Sequence, residues 1–133
     1  MESLLELLEE RNFHLRKFKE LNNNEMDNFC NGNFSNLETF YQTREGLLDV
    51  IRCIDEMINE GQGEVEGPGP ADSQTRSQVQ KALNEKTELI TNILSQDLQI
   101  LSFVENAKSE MIRELSSVKM ARKAVGAYKS RGR

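Results

Sequence analysis

Tryptophan is absent, proline occurs twice and histidine once among the 133 residues. One His14 and two cysteines leave too few soft ligands for a zinc or haem site built within a single chain. No run of about 18 apolar residues occurs, so no membrane-inserted segment is expected. The opening MESLLELLEE alternates Leu with Glu and is acidic, unlike the cationic, apolar start of a secretory signal. The stretch Gly61 to Ala71 reads GQGEVEGPGPA, but no Gly-Lys-Ser/Thr ending follows it, so it is not a phosphate-binding loop.

Cysteine and charge narrow the class further. Cys30 ends one helical pattern and Cys53 lies deep in the next; antiparallel packing would set them roughly 25 Å apart at the α-helical rise. A disulfide needs Cα atoms within about 7 Å, so the pair is expected reduced, packed as small apolar groups, and suited to the cytoplasm. The net charge of −5 is unevenly spread. Residues 119–133 carry Lys119, Arg122, Lys123, Lys129, Arg131 and Arg133 with no acid, leaving 11 basic and 22 acidic side chains before them, a net of −11. Such an acidic body lacks the basic face that duplex DNA requires, so nucleic acid is not an expected partner. The basic tail suits a helix C-terminus, where cations complement the macrodipole, or an anionic partner.

What is present is helical periodicity. Ser3 with Glu6 forms a capping box, and Leu4, Leu8, Leu15, Phe18, Asn22, Met26 and Phe29 follow mostly at three- and four-residue steps, with Arg11 in the one gap. This predicts a helix over about 3–30. Asn22-Asn23-Asn24, three poor helix formers, is its weak point and a candidate kink. Gly32 supplies a left-handed terminator. Ser35 and Glu38 make a second capping box before a helix over about 36–60, marked by Leu37, Tyr41, Arg44, Leu48, Ile51 and Ile58 and widened by Phe40, Leu47, Val50 and Ile54. That width makes it the most buried helix expected. Gly61 closes it, and the Gly/Pro loop over 61–71 is expected to be a flexible connection within one domain.

In the third pattern, Leu83, Ile90, Asp97, Val104, Met111, Val118 and Val125 fall at seven-residue intervals, with Val79, Ile93, Ile100 and Ala107 as a companion stripe. A helix over about 73–126 would be roughly 75 Å long, about twice the span of the first two. Either it breaks near Asp97 and folds back, or its apolar end at Met111, Leu115, Val118 and Val125 meets something else. The expected fold is all-α: a single-domain antiparallel bundle of three long helices, the third continuous or broken in two. His14 has Glu10 at i−4, the wrong spacing for a di-iron helix motif, and no strained turn presents a nucleophile to it. No catalytic residue, metal or cofactor is expected, and the chain is not expected to be an enzyme. Met26 and Met57 are core candidates, while Met111 and Met120 are candidates for contact with a partner helix.

The turn Gly32-Asn33-Phe34-Ser35-Asn36-Leu37, continuing through Tyr41-Gln42-Thr43-Arg44-Glu45-Gly46-Leu47-Leu48, resembles that of the FliT-type flagellar export chaperones. Ala124-Val125-Gly126-Ala127-Tyr128 is similar to the Ala-Tyr near the family's C-terminus, and the related FlgN type shares much of the layout. The resemblance implies a cytoplasmic chaperone for type III secretion. A FliT-type member holds the C-terminal helical segment of the filament-cap protein, and a FlgN-type member holds the hook–filament junction proteins. It also implies that Tyr128 docks the export gate FlhA.

On that reading a bundle with an open groove covers a client's apolar helix. The expected groove residues are Leu48, Ile51, Ile54 and Ile58 on the second helix, with Ile93, Ile100 and Val104 on the third. The alternative for all seven is internal packing. A rival class is a structural coiled-coil protein that self-assembles through Met111 to Val125, and a homodimer is open under either reading.

Overall fold

A computed structural model describes residues 3–61 and 73–131, and within them every regular element is a helix: α1 (Leu4–Cys30), α2 (Leu37–Asn59) and α3 (Ser73–Arg131). The chain is an all-α bundle. Most of the expected Gly/Pro loop, residues 62–71, lies outside the described residues, as does Arg133 of the basic tail.

Local sequence accounts for the ends of α1. The Ser3 hydroxyl oxygen accepts from the Glu6 backbone N–H at 3.1 Å, satisfying one of the free donors of the first turn. At the other end Gly32 adopts φ +76°, and its N–H donates to the Phe29 carbonyl while that of Asn33 donates to the Asn28 carbonyl. This nested pair closes the helix in a Schellman motif, which needs the left-handed residue that Gly32 provides. Gly61, at φ +74°, ends α2 with a bond from its N–H to the Ile58 carbonyl. The second capping box does not form. Both the Ser35 hydroxyl and its N–H donate to Asn33 Oδ1, and Asn36 takes the cap position with no side-chain bond. The Asn33 carboxamide is nearer than the helix end, and it captures the hydroxyl.

Cross-helix partners give the directions. From Asn12–Ala82 through Asn22–Gln96 to Phe29–Phe103, the numbers on α1 and α3 rise together, so these helices run parallel. Between α1 and α2 they run opposite, from Arg11–Asp55 to Phe29–Phe40. The path is therefore up, down and up, each helix antiparallel to the one before it.

α1 packs against both other helices and lies between them. The greatest burial accordingly falls on α1, with Leu7, Leu8, Leu15, Phe18 and Phe29 in the core, and not on α2 as its wide stripe suggested. A wide stripe measures apolar surface, whereas burial depends on how many neighbours cover it. One cluster gathers Leu15, Phe18, Ile51, Leu89 and Ile93; a second, at the α1–α2 turn, gathers Phe29, Phe40 and Ile100. In the second, Phe34 of the turn stacks on Phe29 at 4.9 Å, and Phe40 meets the same ring edge-on at 5.8 Å. These rings brace the turn on α3.

Two candidate breaks are absent. α1 runs unbroken through Asn22-Asn23-Asn24, because the amides act as cross-helix ties: Asn22 is fully buried and donates to Gln96 Oε1 at 3.1 Å, and Gln96 Nε2 donates to Asn23 Oδ1 at 2.7 Å. α3 is a single helix and does not break at Asp97, whose carboxylate receives Arg44 of α2 and Asn22 of α1. Nor does Gly126 end it; helix continues to Arg131.

Candidate functional site

The seven residues expected to line a groove fall inside the bundle. Ile51, Ile54, Ile93 and Ile100 are buried, and Leu48, Ile58 and Val104 are half-buried; Leu48 and Val104 pack against the two core clusters. Four of the seven are core residues and three flank them, as the internal-packing alternative expects. The reason is α1, whose own stripe fills the space that a client helix would take.

Polar side chains interrupt that packing at matched places. Arg11, in the gap of the α1 stripe, is 7% exposed and meets Asp55 of α2 at 2.7 Å. Arg44, in the α2 stripe, meets Asp97 of α3 at 3.0 Å, and its guanidinium lies over the rings of Phe18 and Phe40 at 4.9 and 5.2 Å. Glu25 is buried and accepts from Asn36 through one oxygen, while its second oxygen has no partner among the described residues. Such pairs favour one helix register over its neighbours, since a shift of one turn would bury unpaired charges.

Above the aromatic cluster the bundle ends and α3 continues alone. Ala107 is its last half-buried residue; from Lys108 to Lys129 every side chain is exposed. At about 1.5 Å per residue this free section is roughly 33 Å long. The core-facing stripe of α3 does not stop with the core. Met111, Leu115, Val118 and Val125 carry it onward past Val104, and Met111 is 62% exposed. Met120, on another side of the free section, is exposed as well. Tyr128 is 81% exposed and joins no aromatic contact among the described residues, which sets it apart from the core aromatics. Lys119, Arg122, Lys123 and Lys129 make the outer part of this section basic, while Glu110 and Glu114 balance Lys108 and Arg113 nearer the bundle.

A second run of exposed apolar side chains was not read from the periodicity. Leu94, Leu98 and Leu101 lie beside the bundle on α3, with Leu98 70% exposed, and Ile112 continues the run. Their 4–3 spacing was available as a signal, but it overlaps the core stripe on the same helix.

Cys30 and Cys53 are both free and exposed, so the expectation that they pack as small apolar groups is corrected. His14 is half-buried at the edge of Phe13, with its ring centroid 5.4 Å away. Among the described residues no three acidic, His or Cys side chains are grouped to hold a metal, and no helix is long and apolar enough to cross a membrane. An open depression of about 610 Å³ between α1 and α3 is lined by charged and amide groups, with the Arg16–Glu85 ion pair across it at 2.7 Å. It offers an apolar ligand little to bury.

Beyond Ala107, α3 thus carries bare apolar side chains, with basic residues gathered from Lys119 onward. Compared with protein-family models, curated proteins and solved structures, the chain matches none.

Proposed function

We propose that this chain is a cytoplasmic flagellar type III export chaperone of the FliT type, a binding protein without catalytic activity that holds the C-terminal helical segment of the filament-cap protein and delivers it to the export gate FlhA. One observation carries the binding half of this reading. The stripe that α1 covers lower down continues bare through Met111, Leu115, Val118 and Val125. A client helix laid on it would extend the packing that α1 makes with Ile93 and Ile100. Secreted coiled-coil subunits need such cover, because their apolar helices otherwise self-associate. An open, one-sided seat also lets the client leave.

The client surface is therefore moved from the buried core residues to the free section. The resemblance at Gly32 to Leu37 supports the family, with Phe34 seated on Phe29 to brace the turn. Tyr128, exposed among basic residues, is available for exporter docking. The seven-residue spacing of Met111, Val118 and Val125 also favours a second reading, a structural protein that self-assembles through this section.

Calorimetric titration of the full chain with C-terminal segments of the cap and junction proteins tests the proposal. One-to-one binding to the cap segment, lost in Val118→Glu with unchanged melting, is the expected result. Preference for a junction segment would shift the chain to the FlgN type. Binding to neither segment would overturn the chaperone reading in favour of self-assembly.

A further inference from the structure

Leu94, Leu98, Leu101, Ile112 and Leu115 are each at least half exposed, and they follow one another along α3 at alternating steps of four and three once Glu105 and Lys108 are counted in the middle. At 3.6 residues per turn this line lies about a third of a turn from the core-facing stripe. Five large aliphatic side chains in one line are more than a monomer commonly leaves in water. Among the described residues neither Glu105 nor Lys108 makes an ion pair. The line thus reads as a coiled-coil seam with two opposite charges at its centre.

We propose that two copies of this chain pair through this seam with their α3 helices antiparallel, about a two-fold axis between Asn106 and Ala107. The 4–3 spacing allows several antiparallel registers, and this one alone sets the two central charges against each other. Glu105 of each copy faces Lys108 of the other, Leu101 faces Ile112, and Leu98 faces Leu115. Each contact occurs twice, as an isologous, closed interface requires. Parallel pairing would set Glu105 against Glu105 and Lys108 against Lys108. Charge over the rest of the chain selects the same direction. A parallel pair would bring two ends of +6 together, whereas an antiparallel pair lays each along the other copy's body, where residues 1–118 carry −11. Leu115 belongs both to this seam and to the bare section proposed for a client, so the two occupants share that side chain; mass measured in the absence of client tests the pairing by itself.

Sedimentation equilibrium of the full chain tests it. The expected mass is that of a dimer. Glu105→Lys places Lys against Lys in both central layers, Lys108→Glu places Glu against Glu, and either change should weaken association by about tenfold or more. The double variant E105K/K108E restores both pairs and should restore the dimer, as should mixing the two single variants in equal amounts. Leu98→Glu should give a monomer with unchanged helicity, since the side chain touches little else, and its melting should fall only by what pairing contributed. A wild-type chain that is monomeric, or a dimer that survives all three single changes, would overturn the proposal. So would an E105K/K108E variant that stays as weak as its parents, because that outcome marks a parallel pair or a different surface.

Discussion

Arg44 of α2 and Asp97 of α3 are joined by a 3.0 Å ion pair in which the guanidinium also spans the faces of Phe18 and Phe40. Each residue is the polar exception in its helix's apolar stripe, and each exception answers the other. Asp97 also accepts from the buried Asn22 at 3.3 Å, so all three helices converge on one carboxylate. A seam of apolar residues alone would tolerate sliding by a turn. This junction does not, because a slide would strand a half-buried charge.

Removing either partner should therefore destabilise the bundle by about 2 kcal/mol, the scale of a charged hydrogen bond lost in a partly buried site. Urea titration of Arg44→Ala, Asp97→Ala and the double variant measures it. The two losses should not add, leaving a coupling of about 1 kcal/mol. Additive losses would show that the pair is a bystander to packing.

Core and free section should respond in opposite ways to the same change. Ile51→Glu buries a charge against Leu15 and Phe18 and should abolish cooperative melting, while Phe40→Ala should lower stability by about 4 kcal/mol. Val118→Glu should leave the melting curve in place. A collapse of helicity in Val118→Glu would mean that the free section is covered by something in solution.

Tyr128→Ala should leave melting and client affinity unchanged and weaken docking to the cytoplasmic domain of FlhA, read by titration with that domain. Its exposure means that no core contact is lost. Docking that is unaltered would remove the exporter role from this residue.

The two thiols should react fully with Ellman's reagent in the native state, since both are exposed and free. Protection of either without denaturant would place it under a partner surface.

Helix number, order and approximate ends were legible because they depend on local signals: the Ser3 cap, the glycines at positions 32 and 61, and the periodicity between them. The excess length of α3 was legible too, from the absence of Gly or Pro between Pro70 and Gly126. What could not be read was the meaning of each interruption. Arg11, Asn22 and Asp97 look like faults on one helix and become ties once a second helix supplies Asp55, Gln96 or Arg44. The same limit applies to the site. Ile51 and Leu98 both look like stripe residues in one dimension; only the position of α1 decides that the first is covered and the second is bare. Ser35 failed as a cap for a local reason, the nearer Asn33 carboxamide.

The 59 residues of α3 set the outline of the molecule. A compact chain of this length would have a radius of gyration of about 14 Å. A helix of roughly 90 Å carries far more of its mass from the centre. In hydrodynamic terms the monomer should travel through a gel-filtration column as a much heavier globule would, and scatter X-rays as a rod with a weight at one end. An antiparallel pair barely lengthens that rod, because the second body fills in beside the first chain's bare end. Doubling the mass should then add little to the largest dimension.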